Sequence, residues 1–463
     1  MSEETENLEW LPVIESGSNI KYAAIVEAIS RAIESGQLTE GTRLPPHRNL
    51  AEKLGVTVAT VTKAITDLNR RGLVTSRRGS GTYVCATRRA PTAPEPIVGP
   101  KDLAVNRPPV GPVAELLSQA LAEVGSEHDS ATLFGYEPIG GALMHRQAGA
   151  AWLAERGIEV DAEQVIVTQG ANDGLLTALA AVCRPDDTIL CEAVNYSGLR
   201  RIAHLLGLNL AGVAIDDKGM LPDALAEACH RLKPRAVVCT PVTHNPTGAT
   251  LDGSRRRRLA NVVRNADVVL IEDDINGHLA AMDAETLFGL APEQTVYVTS
   301  MSKCVSAGLR VGFMTASQAM LPRLRDALYS ANWTAPSLHA AIATQLIVSG
   351  GARQCVDAQR REAAARMAVA RKYLGERVPS ASAAYHVWIT IDRSIRPEAL
   401  CMELIKENIL ISPAHHFAVP GCALPNAIRI GLGSVESRSE LEAALQVISA
   451  QLSPQTLTLG AIA

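Results

Sequence analysis

Residues 299–312 carry the sequence Thr-Ser-Met-Ser-Lys-Cys-Val-Ser-Ala-Gly-Leu-Arg-Val-Gly, in which Lys303 stands among hydroxyl residues and Arg310 follows seven positions later. Serine and lysine are also common at helix starts, so the segment needs support from the rest of the chain. A lysine amine forms a Schiff base with an aldehyde, while hydroxyl groups and a guanidinium bind a phosphate dianion. The segment therefore predicts a pyridoxal phosphate site.

Runs of β-branched residues alternate with helical patterns on both sides of this segment. The predicted strands cover residues 164–168, 188–192, 236–240, 267–272, 295–299 and 311–315. Helical stretches such as 174–183 and 254–264 separate them. This alternation predicts a large α/β domain with a mostly parallel sheet wrapped by helices, whose ligands lie beyond the carboxyl ends of the strands.

Polar residues follow several of these strands. Gly170 lies between a predicted strand and a helix, where exposed backbone amides bind anions. Tyr196 follows the next strand and has a ring that can stack on a flat ligand, although a single tyrosine in such a place more often serves only packing. Asn245 lies in a loop with two prolines and a glycine, and its amide is placed to donate to a phenolic oxygen. Asp273 ends an apolar strand, so its burial predicts a cationic partner such as a protonated pyridine nitrogen.

In this order, the elements resemble the fold-type I aminotransferases that depend on pyridoxal phosphate, over about residues 103 to 450. The resemblance implies a role for each matching residue. Lys303 is the Schiff-base lysine, Asp273 pairs with the ring nitrogen, Asn245 holds the ring hydroxyl and Tyr196 stacks on the ring. Arg429 binds the substrate carboxylate, and Tyr136 belongs to a loop that is given to the partner subunit. The phosphate ligands are Ser300, Ser302, Arg310 and the amides of Gly170, Ala171 and Asn172.

One position departs from that family. Its members usually have a tyrosine shortly after the ring-nitrogen aspartate, bonded to the ring hydroxyl, whereas this chain continues Asp273-Asp274-Ile275-Asn276. Loss of that hydrogen bond is expected to alter the pKa of the lysine adduct and to weaken turnover, without removing cofactor binding.

The N-terminal part has a different character. Between residues 42 and 89 there are ten Lys and Arg residues against two acids, in a chain of net charge −4. A basic block in an acidic protein indicates a polyanionic partner, the alternative being a solvated surface. Helical patterns at 20–34, at 47–54 and after Thr57 surround a turn at Gly55, which predicts a helix-turn-helix. Two β-like stretches, 73–77 and 82–84, around a basic tip predict a wing.

The segments Leu-Pro-Pro-His-Arg-Asn-Leu-Ala at 44–51 and Gly-Ser-Gly-Thr-Tyr-Val at 79–84 resemble the winged helix-turn-helix of the GntR family, over roughly residues 18–86. In that family the arginine that matches Arg48 contacts DNA, together with the recognition helix and the wing. Where the family often has basic residues, this chain has Val58 and Ala59. The predicted DNA-binding residues are Arg48, Thr57, Thr60, Lys63, Arg77, Arg78, Gly79 and Ser80.

The order of these parts is similar to that of MocR-type regulators. We expect an N-terminal arm (1–17), a winged-helix domain (18–86), a proline-containing linker (87–105) and an aminotransferase-like domain (106–463). The resemblance implies a bacterial transcription regulator that forms head-to-tail homodimers on paired operator half-sites. Pyridoxal phosphate, an amino-compound effector that forms an aldimine, or both would control its DNA binding. The alternatives are an active aminotransferase with an accessory DNA-binding domain and a scaffold that has lost its cofactor.

Composition excludes several other classes. No apolar run reaches the length of about 18 residues needed to span a bilayer, and the acidic N-terminus is not typical of a signal peptide. The nine cysteines are scattered without metal-ligand spacing, which predicts buried free thiols, a reducing cytoplasm and no metal site.

Overall fold

The computed structural model describes residues 22–34, 37–39, 41–70, 73–77, 81–84, 99–127, 129–280, 285–378 and 384–452. The predicted arm, most of the predicted linker, and Arg78, Gly79 and Ser80 lie outside these residues. Internal contacts divide the chain into two compact units, Met1–Gly99 and Pro100–Ala463. None of the described helices is long and apolar enough to cross a membrane.

The first unit packs three helices against a small antiparallel sheet. Strand β3 lies in the centre of the sheet, between β1 and β2. Gly55 has a φ of +64° at the turn between the second and third helices, a conformation that glycine adopts without strain. The described elements are α1 (Tyr22–Glu34), β1 (Arg43–Leu44), α2 (His47–Lys53), α3 (Val58–Arg70), β2 (Val74–Arg77) and β3 (Gly81–Val84).

Apolar residues at helical spacing form the core of this unit. Ile25 and Ile29 on α1, Leu50 on α2, and Val61 and Leu68 on α3 are all fully buried. Each pair on one helix is four or seven residues apart, so both members lie on the same face. The helix-turn-helix and its β-hairpin are therefore present as the sequence predicts.

The second unit is built on a seven-stranded sheet of order β5-β13-β12-β11-β10-β6-β7. Strand β13 is antiparallel to both of its neighbours, β12 and β5, and every other pair in the sheet is parallel. The predicted mostly parallel sheet is thus confirmed, with β7 as an additional edge strand. The sheet strands are β5 (Val165–Thr168), β6 (Thr188–Glu192), β7 (Asn209–Val213), β10 (Ala236–Cys239), β11 (Val269–Asp273), β12 (Thr295–Ser300) and β13 (Gly312–Thr315).

Helices cover both faces of this sheet. Along β5, Val165 and Val167 belong to one buried cluster and Ile166 belongs to the other, because successive side chains point to opposite faces. The described helices of this unit are α4 (Ala114–Glu127), α5 (Ser130–Phe134), α6 (Leu143–Ala154), α7 (Ala171–Val182), α8 (Ser197–Leu205), α9 (Pro222–Leu232), α10 (Gly253–Ala266), α11 (Leu287–Leu290), α12 (Leu321–Ala331), α13 (Ser337–Val348), α14 (Gly351–Leu374), α15 (Pro397–Lys406) and α16 (Arg438–Leu452).

A smaller antiparallel sheet of order β14-β17-β16 and two short strand pairs complete the unit. Ile389, Ile428 and Ile430 of this sheet are buried in one cluster with Leu441 and Leu445 of α16. The remaining strands are β4 (Lys101–Asp102), β8 (Ile215–Asp216), β9 (Gly219–Met220), β14 (His386–Thr390), β15 (Ile409–Leu410), β16 (Ser412–Pro413) and β17 (Ala427–Gly431).

The carboxyl ends of β5, β6, β10, β11 and β12 lie at one edge of the large sheet, because these strands all run in the same direction. The loops that carry Gly170, Tyr196, Asn245 and Lys303 leave the sheet at this edge, and Asp273 is the last residue of β11. The topology therefore brings together residues that are far apart in sequence.

Candidate cofactor site and nucleic-acid interface

Lys303 lies in the turn that follows β12. Its side chain is partly buried, and Nζ donates a hydrogen bond to the main-chain oxygen of Asn106. Burial lowers the pKa of Lys303 to about 8, and the positive charges of Arg429 and Arg310 act in the same direction, against Asp273. A lysine with this pKa becomes largely deprotonated only above about pH 8, more than two pH units below an ordinary lysine, and the neutral amine is the form that attacks an aldehyde.

Asp273 lies at the same cavity and is buried. Its Oδ1 atom has no hydrogen-bond partner among the described residues. Burial raises the pKa of Asp273 to about 7, and the neighbouring negative charge of Asp274 raises it further. A buried carboxylate oxygen without a donor is costly, so this position suits a ligand that brings a cationic N–H group.

The predicted phosphate ligands lie at the start of α7. Gly170 precedes the helix with a φ of +92°, and a Cβ atom there would come within 3.4 Å of Nη2 of Arg310. That guanidinium donates to the main-chain oxygen of Gln169 at 2.9 Å and remains exposed to the cavity. The first amides of a helix have no acceptor within the helix, and those of Ala171 and Asn172 occupy this place.

The two predicted serine ligands have different surroundings. Ser302 lines the cavity, while Ser300 is fully buried beneath it and its Oγ accepts a hydrogen bond from the backbone N–H of Ser302 at 3.2 Å. In this arrangement Ser300 holds the turn that carries Ser302 and Lys303.

Tyr196 stands immediately before α8 and lines the cavity. A Cβ atom on Gly198 would lie 2.2 Å from Cε1 of the tyrosine ring. The ring therefore lies directly over the glycine, and any larger residue at 198 would displace it. The packing role of Gly198 depends on the position of the ring, so the sequence does not reveal it.

Arg429 and Asn245 are paired. Nη1 of Arg429 donates to Oδ1 of Asn245 at 2.8 Å, and Nη2 donates to the main-chain oxygen of Ala104. The guanidinium also lies 4.7 Å from the ring centroid of Phe417. Since Oδ1 of Asn245 accepts from the arginine, its amide NH₂ group is left to donate to a ligand.

These side chains surround one cavity of about 480 Å³, and most of the predicted site residues line it. Tyr136 does not: it is 95% exposed, and its ring lies 5.7 Å from that of Trp333. Within one chain Tyr136 therefore does not line the cavity, and its role as a residue given to a partner subunit stays a prediction. The predicted residues that line the cavity are Ala171, Asn172, Tyr196, Asn245, Asp273, Ser302, Lys303, Arg310 and Arg429.

Two further residues support the lysine and were missed in the sequence. Besides accepting from Lys303, Asn106 donates from Nδ2 to Nδ1 of His386 at 3.0 Å. Burial lowers the pKa of His386 to about 3, so the ring is neutral and its Nε2–H donates to the main-chain oxygen of His244 at 3.3 Å. Asn106 lies 197 residues before Lys303, and no local motif marks either residue.

Ile275, two residues after Asp273, lines the cavity. It offers no hydrogen bond to a ring hydroxyl. The next residue, Asn276, is committed elsewhere, since its Nδ2 donates to the main-chain oxygen of Thr243 at 2.9 Å.

In the first unit, the predicted DNA-binding residues of the described chain lie on α2, on α3 and on β2. Arg48 is exposed on α2. Thr57 caps α3, because its Oγ1 accepts from the backbone N–H of Thr60 at 3.2 Å. The ammonium group of Lys63 lies 4.3 Å from the ring centroid of Tyr22, and Arg77 ends β2 opposite Gly81.

The fold and the cavity define a protein whose sequence carries a winged-helix unit first and a pyridoxal-phosphate-type aminotransferase unit second. Residues 101–448 match the family "Aminotransferase class I and II", and residues 21–84 match "Bacterial regulatory proteins, gntR family". The chain therefore belongs to the class I and II aminotransferase family, and its GntR-type unit gives it the architecture of the MocR-type transcription regulators.

Relatives named as HTH-type transcriptional regulators are similar along most of the chain. The HTH-type transcriptional regulator YdeF of Bacillus subtilis is 25% identical over 448 residues, covering 95% of this chain and 96% of the relative. The pyridoxine biosynthesis transcriptional regulator PdxR of Corynebacterium glutamicum is 31% identical over 305 residues, covering 63% of this chain and 65% of the relative.

Solved structures confirm the fold of the large unit. LysN, an α-aminoadipate aminotransferase of Thermus thermophilus complexed with N-(5'-phosphopyridoxyl)-L-leucine, superposes with a TM-score of 0.69 at 24% identity. The match covers 77% of this chain and 92% of LysN. Pyridoxal phosphate is the cofactor of this family. Oδ1 of Asp273, which has no hydrogen-bond partner among the described residues, fits its ring nitrogen, and the Arg310 guanidinium beside Gly170 fits its phosphate.

Proposed function

We propose that this regulator binds paired operator half-sites as a cytoplasmic head-to-tail homodimer, and that an amino compound entering the Lys303 cavity controls its DNA binding. The observation that carries the proposal is the joint placement of Lys303, Asp273 and Arg429 around one cavity, in a chain that also has a helix-turn-helix. The aldehyde of a cofactor held at Lys303 would react with a primary amine, and an arginine beside it that can bind a carboxylate suits an amino acid or a related amine.

Pyridoxal phosphate, when bound, supplies an aldehyde that reacts with primary amines and a ring that withdraws electrons. Lys303 would hold the cofactor covalently, and Asp273 would keep the ring nitrogen protonated. Arg310, Ser302 and the first amides of α7 would bind the phosphate. Each of these assignments rests on a group that lies at the cavity with the matching charge or hydrogen-bonding capacity.

Arg429 would bind the carboxylate of the effector. Its guanidinium is more than nine-tenths buried, its Nε atom has no hydrogen-bond partner among the described residues, and burial lowers its pKa to about 10. An anion would supply the missing acceptor and would stabilise the buried positive charge. The effector changes DNA binding only if it binds the two DNA-binding states of the protein with different affinity.

The test begins with operator fragments selected from random DNA by the purified, cofactor-loaded protein. Amino acids and other primary amines are then added, and DNA affinity and the visible absorbance of the protein are measured on the same samples. We expect at least one amine to change both quantities, and we expect Lys303→Ala to make DNA affinity insensitive to that amine. An amine that changes the absorbance but never the DNA affinity would contradict control by this site.

The second candidate function is that of an active aminotransferase. The lowered pKa of Lys303 favours it, because a lysine of pKa about 8 exchanges protons readily near neutral pH. Ile275 argues for slow turnover, since it gives the ring hydroxyl no donor. Sustained keto-acid formation from an amino donor and a keto-acid acceptor would support this candidate; its absence, with an intact spectral response, would remove it.

A further inference from the structure

The cavity of Lys303 contains more positive charge than the proposed roles use. Five cationic side chains line it in the described chain, against the single acid Asp273. Three of the five already have a function in the proposal, because Lys303 holds the cofactor, Arg310 holds its phosphate and Arg429 holds a carboxylate. The two that remain are Arg200 and Arg201.

Both remaining arginines lie on the first turns of α8, which starts immediately after Tyr196. Nη1 of Arg200 donates to the main-chain oxygen of Ala418 at 3.3 Å. The segment around Ala418 is fixed to the same loop by a β-bridge to Val194. Two segments that are bonded to each other thus line this part of the cavity; Arg200 is fixed to the second segment, and Arg201 is exposed beside it.

Neither arginine is neutralised by an acid in the described chain. Arg201 forms no hydrogen bond or ion pair there, and the partner of Arg200 is a neutral carbonyl. The nearby His416 lines the same wall, and burial lowers its pKa, as do the positive charges of His415, Arg200 and Arg429. Both arginines are exposed to solvent beside the cavity, and an anion lying between them would be attracted by both positive charges.

We propose that Arg200 and Arg201 bind a second anionic group, so that the effector is an amino acid whose side chain ends in a carboxylate, sulfonate, phosphonate or phosphate. The inference rests on the proposed function, because it places the amine at Lys303 and the first carboxylate at Arg429. The buried Nε of Arg429, which has no partner among the described residues, supports the first anion position, and the two uncompensated arginines supply the second.

The test uses the full-length, cofactor-loaded protein and three matched pairs of amino acids: L-aspartate with L-asparagine, L-glutamate with L-glutamine, and O-phospho-L-serine with L-serine. Each is titrated while the visible absorbance is recorded, and calorimetry gives an independent dissociation constant. We expect at least one acid to bind roughly tenfold or more tightly than its uncharged counterpart, as one charge-assisted hydrogen bond provides. Arg201→Gln, alone or with Arg200→Gln, should remove that preference.

Arg353→Gln is the matched control, because Arg353 is exposed on α14 and does not line the cavity. It should keep the full preference. The second anion position would be refuted if the acidic amino acid and its counterpart with a neutral side chain bind equally well. It would also be refuted if the preference survives the double substitution. Neither result would argue against control by an amine. Loss of cofactor affinity in Arg201→Gln without a change in preference would reassign the arginines to cofactor capture. If no amine changes the spectrum of the loaded protein, the proposed function fails as well.

Discussion

Lys303 and Asp273 carry opposite charges in one cavity, and burial weakens both charges. Removal from water lowers the pKa of the lysine to about 8 and raises that of the aspartate to about 7, because low-dielectric surroundings disfavour each ionised form. Their roles could be predicted from the sequence, since each lies in a short motif at a strand end. Asn106 and His386 could not, because their link to Lys303 depends on contacts across 197 and 280 residues.

The covalent role of Lys303 gives a direct prediction. Lys303→Ala should abolish the visible absorbance that lysine-bound pyridoxal phosphate gives to the purified protein, because alanine has no amine to react with the aldehyde. Absorption spectra after reconstitution with the cofactor provide the measurement. Lys406→Ala, at an exposed lysine on α15, should keep the absorbance, and a yellow Lys303→Ala protein would refute the assignment.

The lowered pKa of Lys303 predicts a pH dependence. Below about pH 8 the amine is mostly protonated and cannot attack, so the rate of cofactor attachment to the cofactor-free protein should rise as the pH increases towards 8 and then level off. Stopped-flow absorbance at a series of pH values measures this rate. A profile that keeps rising up to the ordinary lysine pKa, which is above 10, would show that burial does not act on this amine.

At the scale of single elements, local patterns and long-range pairing differ in how well they can be predicted. The apolar spacing in α1, α2 and α3 predicts these helices closely, since one helical face is enough to define each of them. Strand β7 was not predicted, because Asn209, Ala211 and Gly212 lack the β-branched character of the other strands. Its place depends instead on a parallel register with β6.

Helix α2 provides a prediction for DNA binding. Arg48→Ala should weaken binding to every DNA sequence and reduce the slope of log affinity against log salt by about 1, because one phosphate contact is lost. Mobility-shift titrations at several salt concentrations measure both quantities. Arg31→Ala, on the exposed face of α1 beside Glu27, is the control. It should change the affinity and the salt slope less than Arg48→Ala does. An unchanged affinity in Arg48→Ala would count against the predicted placement of the helix-turn-helix on DNA.

For the whole molecule, the order of two dissimilar units was predictable because each has its own motifs and its own apolar periodicity. Their arrangement in a dimer has no such local signal. Tyr136 illustrates this: it is nearly fully exposed in the single chain, and its proposed role requires a second copy.

Mixing of variants tests the dimer. Lys303→Ala and Tyr136→Ala proteins should each lose the spectral response to an effector amine. The first variant should lose it because it does not attach the cofactor, and the second because it does not bind the amine. After unfolding and refolding together, mixed dimers contain one site with Lys303 from one subunit and Tyr136 from the other, so part of the response should return. A mixture that responds no better than the two separate proteins would place Tyr136 outside the partner's site.

The closeness of the two pKa values at residues 273 and 303 has a further consequence. Near neutrality the empty cavity exists as several protonation states of similar free energy. Taking up the coenzyme selects one of these states, so protons are exchanged with the surrounding buffer. The balance between the empty and the loaded protein therefore depends on the pH as well as on the concentration of the coenzyme.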